Sequence, residues 1–170
     1  MMCGITGTPG TGKSSAADEL ALRGYYVVRL TETIKDYVVG EDRERDSRII
    51  DEDRWAREFI PVEGFVEGHL AHLLPCDRVV ILRCRPDILL ARLRSRGYRE
   101  EKSRENAEAE ALDVCLIETL ERHGPEHVLE LDVTEISPVK VADLIEDFLR
   151  GRIPPTHGRI DWSDYLLEAV

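Results

Sequence analysis

The sequence contains no apolar run approaching the ~20 residues that a membrane-spanning helix needs, so nothing in it points to a bilayer or to export. It also lacks internal repeats and low-complexity tracts, which leaves a single ordinary domain as the simplest reading of its 170 residues. Its four cysteines (Cys3, Cys76, Cys84 and Cys115) do not fall into the paired spacing of a metal site, and its five histidines are scattered. We therefore expect free, buried thiols, a reducing cytoplasmic setting and no structural metal. Positive charge is in short supply: 23 Lys and Arg stand against 34 Asp and Glu, for a net charge of −11. Broad binding to nucleic acid depends on neutralising phosphates with basic side chains, so no direct nucleic-acid binding, sequence-specific or otherwise, is expected. An acidic surface suits plain solubility or a basic protein partner. Two motifs of guanine-nucleotide switches, N-K-x-D and D-x-x-G after the second acidic strand, are missing as well, which sets a GTPase aside. Small size and acidity set aside a helicase.

What the sequence does have is Gly7-Thr8-Pro9-Gly10-Thr11-Gly12-Lys13-Ser14, a full match to the phosphate-binding loop G-x-x-x-x-G-K-[ST]. It follows a short apolar run (Met2, Cys3, Ile5) and precedes a helical pattern (Ala16, Ala17, Leu20, Ala21), the strand–loop–helix setting the motif requires. Gly10, Thr11, Gly12 and Ser15 lie where backbone N–H groups can curl around phosphate oxygens. The helix that starts near Gly12 adds the positive end of its dipole. Lys13 supplies a point charge for the outer phosphates, and the Ser14 hydroxyl is a Mg²⁺ ligand. The loop predicts a nucleoside triphosphate site, with ATP and Mg²⁺ bound.

Short β-rich runs alternate with helical patterns, which predicts an α/β fold with a parallel sheet and helices on both faces. Strands are expected near 2–6, 25–30, 60–66, 77–84 and 127–132. Helices are expected over 13–22, 52–58, 86–95, a long one from about 103 to 122, and 138–149. In the long helix Leu112, Leu116 and Leu120 recur every four residues, as on one helix face. Residues 40–54 are so densely charged that they read as a mobile insert. After Arg150, Pro154-Pro155 and then Ile160, Trp162, Tyr165, Leu166 and Leu167 read as an arm that packs on this chain or on a second one.

Three further groups narrow the chemistry. Arg92, Arg94 and Arg96, followed by Gly97, Tyr98 and Lys102, read as a hinged cationic flap that closes over the phosphates, or else as a solvated basic helix end. Arg92 and Arg96 are its candidate phosphate contacts. Glu67 ends an apolar strand, where a carboxylate orients Mg²⁺ through water. His69, two residues on, is placed to orient an attacking water or a phosphate, or is an ordinary hydrogen-bonded histidine. Thr134, in the connection Leu131–Pro138, lies where the backbone either frames a purine base or simply makes a strand–helix turn.

The phosphate loop, Asp51-Glu52-Asp53-Arg54 after the charged segment, Glu67-x-His69, and Arg92 with Arg96-Gly97-Tyr98, Lys102, Glu105-Asn106 and Glu110 occur in this order. In that pattern the chain resembles the adenylate kinase isoenzyme 6 family, also called the coilin-interacting nuclear ATPase family, over residues 3–149. The resemblance implies a three-layer nucleoside-monophosphate-kinase-like fold with a five-stranded parallel sheet. Residues 1–150 would form its kinase domain, with a monophosphate-binding segment at about 29–52 and a lid at about 95–105; residues 151–170 would form a C-terminal arm. It further implies phosphoryl transfer between ATP and AMP, ATP hydrolysis, a role in maturation of the small ribosomal subunit, and a basic small-subunit ribosomal protein as partner. Lys13, Arg96, Glu67 and His69 become the catalytic candidates. Glu67 stands where family members often have Asp, and Lys35 aligns with an arginine that holds the monophosphate, keeping charge but not the bidentate fork. Two rival readings remain: an assembly factor or chaperone switched by nucleotide, and a kinase for another small molecule such as shikimate or gluconate.

Overall fold

The computed structural model describes residues 1–42 and 47–168. The chain runs β1 (Met2–Thr6), α1 (Lys13–Leu22), β2 (Val27–Arg29), α2 (Leu30–Thr33), β3 (Val38–Asp42), β4 (Ser47–Ile50) and α3 (Glu52–Glu58). It continues through β5 (Gly64–Glu67), β6 (Arg78–Arg83), α4 (Pro86–Ser95), α5 (Glu100–Ala111) and α6 (Val114–Arg122). It closes with β7 (Val128–Asp132), α7 (Pro138–Leu149) and α8 (Asp164–Glu168). Five strands form one sheet in the order β2-β5-β1-β6-β7, and every neighbouring pair is parallel.

The two-residue period of a strand sorts the apolar side chains onto two faces. In β6, Val80 and Leu82 join Cys3, Ile5 and Phe65 beneath α1 and α7, where Ala17, Leu20, Ile145 and Phe148 cover them. Val79 and Ile81 point the other way, among Met2, Val66, Trp55, Cys115 and Leu116. All four β6 residues are fully buried, each worth roughly 1.5–3 kcal/mol in removal from water. The result is the expected three-layer α/β architecture. All four cysteines are free and buried.

Four elements depart from the sequence reading. The second strand stops at Arg29, because Leu30 already begins α2. The third sheet strand begins only at Gly64, whose φ of 138° and approach to the Tyr26 carbonyl leave no room for a side chain: a Cβ there would sit 2.3 Å from that oxygen. The helix expected over 103–122 is two helices, broken at Asp113, which adopts a left-handed φ of 57°. The break has an electrostatic cause. The Arg83 guanidinium donates to the Glu110 carbonyl (2.8 Å), in the last turn of α5, and to the Asp113 carboxylate (2.5 Å). Leu112 is consequently turned to solvent, whereas Leu116 is buried. Finally, the described part of the 40–54 segment is regular: β3 and β4 form an antiparallel ribbon, and Asp51 caps α3 through the Arg54 amide (3.0 Å). Residues 43–46 of that segment lie outside the described residues.

The arm after Arg150 packs on its own chain. Thr156 pairs with β7, donating to the Val128 carbonyl (3.2 Å) and accepting from the Glu130 amide (2.7 Å). The Gly158 amide then donates to the Glu130 carboxylate (2.7 Å), and α8 lies against α5.

Glu130 is thereby part of a buried charge cluster. Arg83, 1% exposed, pairs with Glu110 (2.7 Å), Asp113 and Glu130. Burial works against its charge, yet the three carboxylates hold its pKa above the ordinary arginine value. Removing one member of such a cluster leaves buried charge uncompensated. Arg83→Met is expected to destabilise the fold by about 3–5 kcal/mol, measured by urea denaturation; a loss under about 1 kcal/mol would mean the carboxylates do not depend on it.

Candidate functional site

The central strand β1 delivers the chain into the loop Gly7–Gly12, and α1 carries it away. Gly7 (φ 141°) packs so closely on β6 that a Cβ would meet the Leu82 carbonyl at 2.4 Å. Gly12 (φ 101°) has open space around it, so here the left-handed backbone rather than crowding calls for glycine. Thr11 pins the loop by donating to the Thr8 carbonyl (3.0 Å). The Thr8 hydroxyl donates in turn to Glu110, which ties the loop to the Arg83 cluster. The α1 N-terminus opens onto the loop with no acidic residue in its first turn, so its positive dipole end is not neutralised locally.

Lys13 is buried and donates to the Gly7 (2.8 Å) and Thr8 (2.9 Å) carbonyls. Burial pushes its pKa down to about 8, against the attraction of Glu67. On the β5 side the Ser14 hydroxyl donates to Glu67 Oε1 (3.2 Å). Two hard oxygen donors side by side at the loop suit Mg²⁺, which takes one or two protein oxygens and keeps several waters. His69 is solvent-exposed at one edge and lies with Nδ1 3.2 Å from the Gly7 carbonyl. Desolvation by the loop, then the Lys13 charge, hold its imidazole below the usual histidine range. Behind it, fully buried His72 bridges Thr6 (2.9 Å) and Glu118 (3.0 Å); burial lowers its pKa to about 4, so it is neutral at pH 7.

On the other side of the loop, Gly10, Thr11, Gly12, Ser15, Arg92 and Arg96 line one cleft of about 190 Å³. Its far wall is apolar, formed by Leu82, Val133, Ile136 and Val141 among others. Arg92 is held by the Thr134 carbonyl (2.9 Å), while Arg96 stands exposed just before Gly97 (φ 80°). The Thr134 side chain is engaged in the turn itself, bonding the Arg85 amide (2.9 Å) and Asp132 (2.5 Å). Lys35 stands apart, exposed on the 3-10 turn Lys35–Tyr37 with no ion pair among the described residues. The sequence reading overlooked two partners. Glu110 was visible only as one motif position and carried no role. Arg29, which pairs with Glu67, was marked only by being a cation at the end of an apolar run, where parallel strands present ligand-facing side chains.

Residues 3–113 match the family described as AAA domain. A protein of Natronomonas pharaonis named "Putative adenylate kinase" is 46% identical over 98% of this chain and all of its own length. One of the same name from Archaeoglobus fulgidus is 44% identical over all of this chain and 96% of its own. Among solved structures, shikimate kinase from Acinetobacter baumannii superposes with a TM-score of 0.63 at 16% identity, over 89% of this chain and 93% of that one. Deoxyadenosine kinase from M. mycoides gives 0.57 at 15% identity, over 88% and 100%. At such identities the likeness is one of fold.

The low pKa of Lys13 has a measurable sign. Below about 8 the ammonium is present to meet phosphate; above that, the free protein loses it. The dissociation constant for a nucleoside triphosphate should therefore rise above pH 8, approaching tenfold per pH unit, when followed by calorimetry from pH 7 to 9.5. A flat profile would remove Lys13 from the phosphate site.

Proposed function

The chain belongs to the AAA domain family and to the same family as these archaeal proteins, and we propose that it is a nucleoside monophosphate kinase that transfers the γ-phosphoryl of ATP to AMP. The observation that carries this reading is the gathering of Lys13, Ser14 and Glu67 on one side of the loop and Arg92 and Arg96 on the other, at the carboxyl ends of the sheet strands.

In this reading the amides of Gly10, Thr11 and Gly12 and the α1 N-terminus cradle the phosphates. Lys13 exchanges its two carbonyl partners for phosphate oxygens. The Ser14 hydroxyl, and Glu67 through water, would hold Mg²⁺, which would supply neutralisation of phosphate charge there. Arg96, with Arg92, meets charge that develops as the phosphoryl moves. The turn around Gly97 lets the 95–105 lid bring them in. The apolar wall and the Thr134 turn take the purine. Lys35 and the 29–52 segment receive the acceptor phosphate. Without an acceptor, neutral His69 can accept a hydrogen bond from water, which gives hydrolysis.

The finer resemblance to the isoenzyme 6 family extends the proposal to small-subunit maturation with a basic ribosomal protein. The net charge of −11 supports that extension. It also favours a second reading, in which nucleotide state sets the grip on such a partner and hydrolysis is the release step.

Incubation with Mg²⁺ and ATP, with and without AMP, separates these readings. ADP formed much faster with AMP than without it, with free phosphate falling as AMP is added, is expected of the kinase. Phosphate released at the same rate with and without AMP, and no added ADP from AMP, would overturn it in favour of the switch. Arg96→Ala is expected to lower turnover by about 10²-fold while ATP affinity stays within about threefold; equal losses in both would refute a transition-state role.

A further inference from the structure

Arg29 closes β2, directly opposite Glu67 in the parallel register. Its side chain is 25% exposed, and its guanidinium is engaged on both arms. Nη1 donates to Glu67 Oε2 (3.1 Å) and to the Ser14 carbonyl (3.3 Å). Nη2 donates to Asp18. Asp18 lies one helical turn beyond Ser14 on α1, so both present to the same side of that helix. Glu67 is thus gripped at both oxygens, Oε2 by Arg29 and Oε1 by the Ser14 hydroxyl (3.2 Å).

Glutamate has one more rotatable bond than aspartate, and a carboxylate that must orient metal-bound water has to be held to within about 0.5 Å. A planar fork fixed at one end by Asp18 fixes the plane in which it meets Glu67 at the other, which a lysine ammonium cannot do. As a plain ion pair, a partly exposed contact of this kind adds little to stability. Its consequence lies in where it puts the carboxylate. We propose that Arg29 is the positioning residue of the metal site, holding the long Glu67 side chain where it can order Mg²⁺-bound water beside Ser14. It acts through Glu67 and need not touch nucleotide.

The inference rests on the ATP reading of the loop. Its test measures ATP affinity by calorimetry with Mg²⁺ and, separately, with EDTA, in wild type, Arg29→Ala, Arg29→Lys and Glu67→Asp. Arg29→Ala should weaken Mg²⁺-dependent binding by about tenfold or more, as loss of a partner that orients a metal ligand does. Metal-free ATP affinity should change by less than about threefold. Arg29→Lys, lacking the fork, should recover only part of the loss. In a Glu67→Asp background the shorter carboxylate falls short of the fork, and Arg29→Ala should then add less than about threefold. Equal weakening with and without metal would reveal only a general charge or folding effect, and would overturn the role. So would an undiminished loss in the Glu67→Asp background. If Arg29→Ala melts below the assay temperature, Arg29→Gln, which keeps a planar donor, takes its place. Failure of wild type to bind ATP with Mg²⁺ would overturn the functional reading itself, whereas wild-type binding with Arg29→Ala unaltered would overturn the Arg29 role alone.

Discussion

One buried guanidinium organises the half of the molecule that faces the cleft. Arg83 ends β6, next to the central strand, and its donors are shared among α5, the α5–α6 junction and β7. Each bond fixes something the site needs. The contact with Glu110 sets the carboxylate that receives Thr8, and so the height of the phosphate loop. The contacts with the Glu110 carbonyl and Asp113 end α5 at the right length, turning α6 so that Cys115 and Leu116 enter the core. The contact with Glu130 leaves that side chain's other oxygen for the arm. A cation there has no apolar substitute: two of its carboxylates are themselves nearly inaccessible, and without it they would repel each other at low dielectric.

The loop lives with a complementary tension. Lys13 is kept where its charge is uncomfortable, satisfied by two carbonyls of the very loop it serves. Burial, opposed by the attraction of Glu67, lowers its pKa to about 8. In the proposed reading, a phosphate would bring negative charge to an ammonium that burial leaves poorly hydrated. Desolvation also lowers the pKa of nearby His69 and, more strongly, of fully buried His72. Catalytic regions commonly tolerate such locally unfavourable charges.

How much of this was legible in the sequence depends on how local each signal is. The phosphate loop spans eight consecutive residues, and strand alternation is a two-residue pattern, so the loop and all five sheet strands could be read directly. The long helix could not be divided. Residues 100–122 are mostly good helix formers, and the poorer run Asp113-Val114-Cys115 does not by itself mark a break; the contact that fixes it is with an arginine 30 residues from Asp113 in sequence. The role of Glu110 was hidden for the same reason, since its partners Thr8 and Arg83 come from β1's loop and β6. High charge over 40–54 concealed a ribbon whose apolar residues are few, Val38, Val39, Ile49 and Ile50, gathered at one end. Arg29 falls within the strand expected over 25–30, with nothing in the sequence to name its partner; only the register of β2 on β5 reveals what it faces.

The arm that crosses β7 alters what the sheet offers to other chains. An open parallel sheet ordinarily has two bare rims, each a row of unpaired amides and carbonyls that invites another strand. Here Thr156 occupies the middle of the β7 rim, its amide and carbonyl both bonded to β7, and the opposite rim is β2, only three residues long and ending in a charge. A strand from a neighbouring molecule would find one border already taken and the other too short to register. The same short stretch that completes the buried charge cluster thereby blunts the β7 border of the parallel sheet.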